Sequence, residues 1–406
     1  MKSIAAKGAV FLFILYLIWF REAHHHVSLY LYGGTVLVAI TTLLYVNHRP
    51  FKYLIPPKGI MFWVWFAIYS LLTGLVVAVD RGLLVSSIVT YMAFLFVCYC
   101  AYIISRGENS IQWLINVIII VCYICAVYTL FWGKPYQTEF YVTTMGPENN
   151  PNTLGSTMVF GMFVVLYSNK QKLGGLVFTF ATLTLFTYVI VLSGSRKGLL
   201  SALVLGVIWL AAFLRDAWKN YKRKERFLRI FMVVAGVCFA ITYFANSYAD
   251  TASFKRMLML FSEGGMSGRQ SMYAEAFDMF KTSPLFGIGY DQYRLYSSYE
   301  TYSHATYAEV LSCGGIFGCL LFFTPVVWTG YLICKKLKKE KSYRTGVLFA
   351  MYAVEIFLGT GMIFMYTFGH LVIWSILFMS AENLLVVDVE RTRIEEKSYV
   401  KNQNHF

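Results

Sequence analysis

The sequence predicts an all-α polytopic membrane protein of about twelve transmembrane helices with one large external loop. Three observations predict it. Of 406 residues, 58% are hydrophobic and 14% charged, against roughly 45–50% apolar and about 25% charged in an ordinary soluble domain. The apolar residues fall in runs that reach the ~20 residues a helix needs to cross a bilayer. The charges collect between those runs, and the mean hydropathy is +0.58.

The spans expected from these runs are 4–20, 27–46, 59–79, 82–104, 111–132, 153–168, 174–193, 198–214, 229–247, 306–333, 346–367 and 369–388. The first, sixth and eighth are short, so one of them is a candidate interfacial or re-entrant helix. Met1 to Phe20 has no small-residue cleavage site and is expected to be retained as the first helix.

The net charge is +14, from 35 Lys and Arg against 21 Asp and Glu. In a soluble chain such an excess would suggest nucleic acid. Here the basic runs lie in short loops beside apolar helices, so nucleic acid is excluded as a partner and the charge reports topology. With the N-terminus inside, the inner segments are 1–7, 47–58, 105–110, 169–173, 215–229, 334–345 and 389–406, and they hold most of the Lys and Arg. The stretches Arg215–Arg229 and Lys335–Lys341 both fall inside under this one assignment, which places both termini in the cytoplasm.

The same assignment leaves one large external segment, 248–305, too long for a tight helix connection. Within it, 269–282 reads as an amphipathic helix. Met272, Tyr273, Ala276, Phe277 and Phe280 form its apolar stripe, Ser267 is its expected N-cap and Pro284 ends it. Such a helix lies flat on a membrane or on other helices. No repeat, linker or low-complexity stretch divides the chain, so residues 1–406 read as a single integral membrane domain.

Five places carry residues with chemical potential. Arg196 sits in Ser193-Gly194-Ser195-Arg196-Lys197-Gly198 at the expected outer surface. A guanidinium there either grips a phosphate through paired hydrogen bonds or snorkels to lipid headgroups. Arg269 opens the amphipathic helix, where a cation is locally unfavourable unless it shares an anion with the helix N-terminus. The run Pro284-Leu285-Phe286-Gly287-Ile288-Gly289-Tyr290 holds two glycines, Gly287 and Gly289, which suggest a tight turn against a neighbouring chain or a ligand. It opens no strand–turn–helix unit, so a dinucleotide site is rejected. His304 falls just before the run at Thr306 and can accept a proton or bond an anion. Glu309 follows it near the outer edge, and Glu355 lies within the eleventh span, where ionisable groups are costly. Last, Glu148-Asn149-Asn150-Pro151-Asn152 precedes the sixth span. Asn152 there either caps the helix or, with Asn149, binds sugar hydroxyls.

Other chemistry is not indicated. No HExxH, paired CxxC or carboxylate cluster suggests a metal, and the adjacent His24, His25 and His26 have poor geometry for one helical site. No P-loop is present. The eight cysteines read as apolar packing, including the buried Cys122 and Cys125, with Cys334 at a basic boundary. Gly314 and Gly318 form a GxxxG suited to close helix packing.

Taken in order, the Asn149–Asn152 loop, Ser193–Leu200 with Arg196, Arg269 with Pro284–Gly289, and His304-Ala305-Thr306-Tyr307 running through Glu309 to Gly315 and Gly318 resemble the O-antigen ligase/polymerase family. The likeness covers roughly 145–333. One departure is Ala305, where many members carry Asn.

The resemblance implies a helical GT-C-like fold in a bacterial cytoplasmic membrane. It implies a donor carried on undecaprenyl diphosphate, no nucleotide sugar, no cofactor and no obligatory metal. A flippase and a chain-length regulator are the protein partners it implies. Under it, Arg196 and Arg269 stabilise the leaving diphosphate, and His304 is the base or a diphosphate ligand. Glu309 and Asp291 are alternatives for the base, and the glycines and asparagines line the substrate. The expected activity is polymerisation of lipid-linked repeat units into a surface polysaccharide such as capsule or O-antigen. A glycan ligase shares donor and leaving group and stays open. A lipid-linked oligosaccharide transporter, the reading from another class, fits less well, because the features gather asymmetrically in one external segment rather than in repeated halves.

Overall fold

A computed structural model of the chain describes residues 2–19, 28–47, 54–137, 142–147, 150–168, 173–220, 222–231, 233–234, 236, 267–340 and 342–383. Its helices are α1 (Lys2–Trp19), α2 (Ser28–Val46), α3 (Lys58–Val77), α4 (Arg81–Gly107), α5 (Gln112–Trp132), α6 (Pro151–Ser168), α7 (Leu173–Ser193), α8 (Arg196–Asn220), α9 (Ser267–Thr282), α10 (Thr306–Glu340), α11 (Tyr343–Leu358) and α12 (Phe368–Ala381). Six of the described helices, α3, α4, α5, α7, α8 and α10, are long and apolar enough to cross a membrane. The protein is therefore a helical, multi-pass membrane protein. The ninth expected span beyond residue 236 and the first part of the external segment lie outside the described residues.

Aromatic packing joins the helices. Trp63 of α3 stacks on Phe322 of α10 at 5.4 Å, donates Nε1–H to the Phe322 carbonyl at 3.0 Å, and meets Trp374 and Phe378 of α12 edge-on. Loops expected on the same side pair with one another. On one side Lys7 bridges Glu108 at 2.5 Å and Arg106 reaches the Ile55 carbonyl. On the other, Gln292 reads the Asp80 backbone twice, accepting from its N–H at 2.9 Å and donating to its carbonyl at 3.0 Å.

Three elements differ from expectation. A two-stranded antiparallel hairpin, β1 (Lys134–Gln137) and β2 (Val142–Met145), precedes α6. The eleventh span ends early. α11 stops at Leu358, and Gly359-Thr360-Gly361 leads into a 3-10 turn at Phe364–Tyr366 before α12 begins. Two glycines weaken the helix there, and the freed carbonyls of Gly359 and Met362 accept from the Thr306 N–H at 2.8 and 3.1 Å. Third, the N-cap of α6 is Asn150, not Asn152. Its Oδ1 accepts from the N–H groups of Asn152 and Thr153 at 2.9 and 3.3 Å, and Pro151 takes the first helical position.

α10 is broken at Gly315 (φ 60°, ψ −162°). The break would strand backbone groups in an apolar setting. The segment after α9 supplies them. Ile288 and Gly289 donate to the carbonyls of Ser312 and Cys313 at 3.0 and 3.1 Å, while Ile316 and Phe317 donate to Pro284 and Leu285 at 2.9 and 3.2 Å. Tyr69 closes the seam from α3 with a bond to the Gly314 carbonyl at 2.8 Å. Gly287 and Gly315 allow this approach, since a Cβ on either would collide with the facing backbone. Gly314 and Gly318 face Phe66 and Tyr69 of α3, as expected for close helix packing.

Candidate active site

α8 begins at Arg196, two residues before the expected start. Ser195 makes that start: its Oγ accepts from the Gly198 N–H at 3.1 Å, and Gly194 (φ 68°) turns the chain into it. Gly198 packs against Gly155 of α6, where a Cβ would lie 2.9 Å from the Gly155 Cα. Ser195 Oγ also bonds Asn152 Oδ1 at 3.4 Å. The first turns of α6 and α8 thus stand side by side.

A start at Arg196 puts Arg196 and Lys197 about 100° apart on one helix. Lys197 turns inward. Its Nζ fills the space that a Cβ at Gly361 would need, and it is buried with no hydrogen-bond partner among the described residues. Arg196 is half-buried on the same turn.

Arg269 approaches from the first turn of α9. One turn on, Tyr273 donates its hydroxyl to the Thr360 carbonyl at 2.8 Å, tying α9 to the turn that Lys197 contacts. Burial raises the Tyr273 phenol, against the lowering pull of Arg269. α9 lies on α10, with Ala276, Tyr293 and Cys313 as a small core that Met279 joins. Phe277, expected on the apolar stripe, is instead half exposed.

His304 lies within electrostatic reach of Arg269 and Lys197. Its backbone is left-handed (φ 57°), which is uncommon for a residue with a Cβ, and its ring meets Tyr302 at 4.5 Å. Burial, then Arg269, then Lys197, pushes its pKa down to about 4. The imidazole is therefore neutral at pH 7 and able to accept a proton.

The turn carrying His304 is held from below. Glu309, fully buried, accepts from the Ser303 N–H at 2.8 Å and from the Tyr366 hydroxyl at 3.0 Å. Thr306 Oγ1 donates to the Met362 carbonyl at 2.7 Å and accepts from the Phe364 N–H at 3.1 Å. Glu309 thus fixes the His304 turn, with both oxygens engaged inside the protein.

The other expected residues divide. Asp291 (φ 60°) is buried, with Oδ2 taken by Ser87 at 2.6 Å and Oδ1 by Arg294 at 2.9 and 2.5 Å. It joins the external segment to α4. Gly287 and Gly289 belong to the seam across the α10 break. Asn152 stands beside Ser195, and Asn149 lies outside the described residues. The structure brings Arg269 and His304 together. To them it adds Lys197 and Tyr273, which the sequence reading did not single out. Lys197 was visible beside Arg196, and only the helix start decides which of the two turns inward. Among the described residues no group of three His, Cys, Asp or Glu is placed to hold a metal.

Lys197, Arg269 and His304 act on one another electrostatically, a set able to attract an anion beside a neutral imidazole. Residues 180–323 match the family described as O-antigen ligase, a stretch that contains Arg196, Lys197, Arg269, His304 and Glu309. No curated protein matches the chain.

Proposed function

We propose that this chain, which carries an O-antigen ligase-family domain over residues 180–323, is a membrane glycosyltransferase that polymerises undecaprenyl-diphosphate-linked repeat units. The observation that carries the reading is the buried, unpartnered Nζ of Lys197, which with Arg269 acts electrostatically on the neutral His304. An acceptor sugar hydroxyl attacks C1 of the donor sugar. The C1–O bond to the lipid diphosphate breaks, and its electron pair leaves with the phosphate oxygen. His304 takes the hydroxyl proton. Lys197 and Arg269, with Arg196 at the rim, meet the charge as it forms. Cations already in place inside a partly dry site stabilise such charge far better than water does.

The same reading sets the site on the outer face of a bacterial cytoplasmic membrane, in a GT-C-like fold of about twelve spans with both termini inside. Segments assigned outward support it, since Asp80 bonds Gln292 and Asn152 bonds Ser195 across them. A flippase would deliver the donor, and a chain-length regulator would limit the product.

The test places the purified protein in liposomes with lipid-linked repeat units and no nucleotide sugar. A ladder of longer lipid-linked chains is expected. Transfer of a finished glycan to a non-lipid-diphosphate acceptor would instead make it a ligase. Units that cross the bilayer unjoined would make it a transporter.

A further inference from the structure

Glu355 and His370 are both fully buried, and His370 Nδ1 lies 2.9 Å from Glu355 Oε2 and 3.2 Å from Oε1. No step of the proposed reaction uses them. Glu355 stands one turn before the end of α11, and His370 is the third residue of α12, so the pair closes the chain at the base of the 359–367 turn. The imidazole also sits between two rings, Phe364 within that turn at 4.8 Å and Phe160 of α6 at 5.0 Å. One side chain therefore holds the helix before the turn, the middle of the turn and the neighbouring helix.

That turn carries much of the site. Gly359 and Met362 receive Thr306, Thr360 receives Tyr273, Gly361 is the seat of Lys197, and Tyr366 bonds Glu309. A displacement of the turn would move Lys197, α9 and the His304 turn together. Burying a carboxylate and an imidazole in a helical membrane core is costly, and cutting one partner leaves the other unsatisfied. An apolar pair of the same size would close the turn without fixing its register. We propose that Glu355 and His370 are positioning residues, a clamp that fixes the 359–367 turn and so sets the distance between Lys197 and the His304 turn. The link to transfer rests on the function proposed above, while the clamp itself does not.

Two readouts on the full chain in nanodiscs test this. Hydrogen–deuterium exchange is followed over 356–369, and binding of undecaprenyl diphosphate is measured alongside. In Glu355→Ala and His370→Ala, exchange across 359–366 is expected to quicken about tenfold or more, with α4 unchanged. Undecaprenyl diphosphate binding is expected to weaken about fivefold or more. Glu355→Gln keeps an acceptor for the Nδ1–H and is expected to restore both readings to near wild type. Wild-type exchange in the alanine variants overturns the clamp. Faster exchange with unchanged binding, or a glutamine variant as damaged as the alanine one, overturns the positioning role. If the alanine variants do not fold, Phe364→Leu decides. It removes the ring contacts to His370 and Trp374 and keeps the Glu355–His370 bond; faster exchange with weaker binding is expected, whereas no change in either contradicts the proposal. A wild-type protein that does not bind undecaprenyl diphosphate sinks the functional reading, and the clamp is then judged on exchange alone.

Discussion

The N–H of Ser303 donates to Oε2 of Glu309 across 2.8 Å, and that bond sets the left-handed turn on which His304 stands. The other carboxylate oxygen accepts from the Tyr366 hydroxyl at 3.0 Å. Glu309→Ala is expected to leave the turn unheld. Small displacements at a reacting centre cost about 10²-fold in rate. Steady-state kinetics should show kcat falling by that order with KM for the donor little changed.

Lys197 and Arg196 are adjacent in sequence and unequal in the fold. Lys197→Ala is expected to lower kcat about 10²–10³-fold, the range for losing one group aimed at developing charge. Arg196→Ala is expected to lose less. Equal losses in parallel assays would contradict the inward assignment of Lys197.

His304 sets a pH dependence. With its pKa pushed down to about 4 from 6.5, the free protein keeps a neutral base through the physiological range. On the acid side, activity per free enzyme, read as kcat/KM, should fall as pH drops toward 4. A bound diphosphate adds negative charge beside the ring and favours the imidazolium, so the acid limb of kcat should lie at higher pH than that of kcat/KM. The same depression bears on stability. Between about pH 4 and 6.5 the unfolded chain binds more protons at this residue, so the fold gains stability as pH rises through that window. Thermal unfolding in detergent should show the slope reduced in His304→Gln.

The seam across the α10 break predicts a contrast between glycines. Gly315→Ala places a Cβ against the Leu285 backbone at positive φ, and Gly287→Ala does the same against Cys313. Each is expected to cost more than about 2 kcal/mol. Gly318→Ala meets only ordinary contacts, with Tyr69 at 3.4 Å and Phe66 at 3.5 Å, and should stay within about 1 kcal/mol. Melting temperatures of the purified variants check this ranking.

The apolar runs were legible because a span's period and length are local properties. α1 to α8 and α10 begin within a few residues of their expected starts, and α9 was readable from its stripe. The N-cap of α6 was placed at Asn152 instead of Asn150, although Pro151 marks a first helical position and so points to Asn150. The break at Gly315 was not. Its hydrogen bonds come from Pro284 to Gly289, and a pattern scan cannot see that a turn will fill a gap in a distant helix. The inward turn of Lys197 was hidden for a related reason, because it depends on Ser195 starting α8 at Arg196. Likewise Glu355 was noticed as a buried charge, but its partner His370 became visible only when α11 and α12 were packed together.

In the proposed reaction Lys197 and Arg269 stabilise a departing lipid diphosphate. Single-turnover release of undecaprenyl diphosphate from a labelled lipid-linked repeat unit tests it most directly. One undecaprenyl diphosphate is expected per glycosidic bond formed, with release slowed about 10²-fold in Lys197→Ala and Arg269→Ala while the donor still binds. Bond formation at the wild-type rate in both variants, or donor consumed with no diphosphate released, would contradict it.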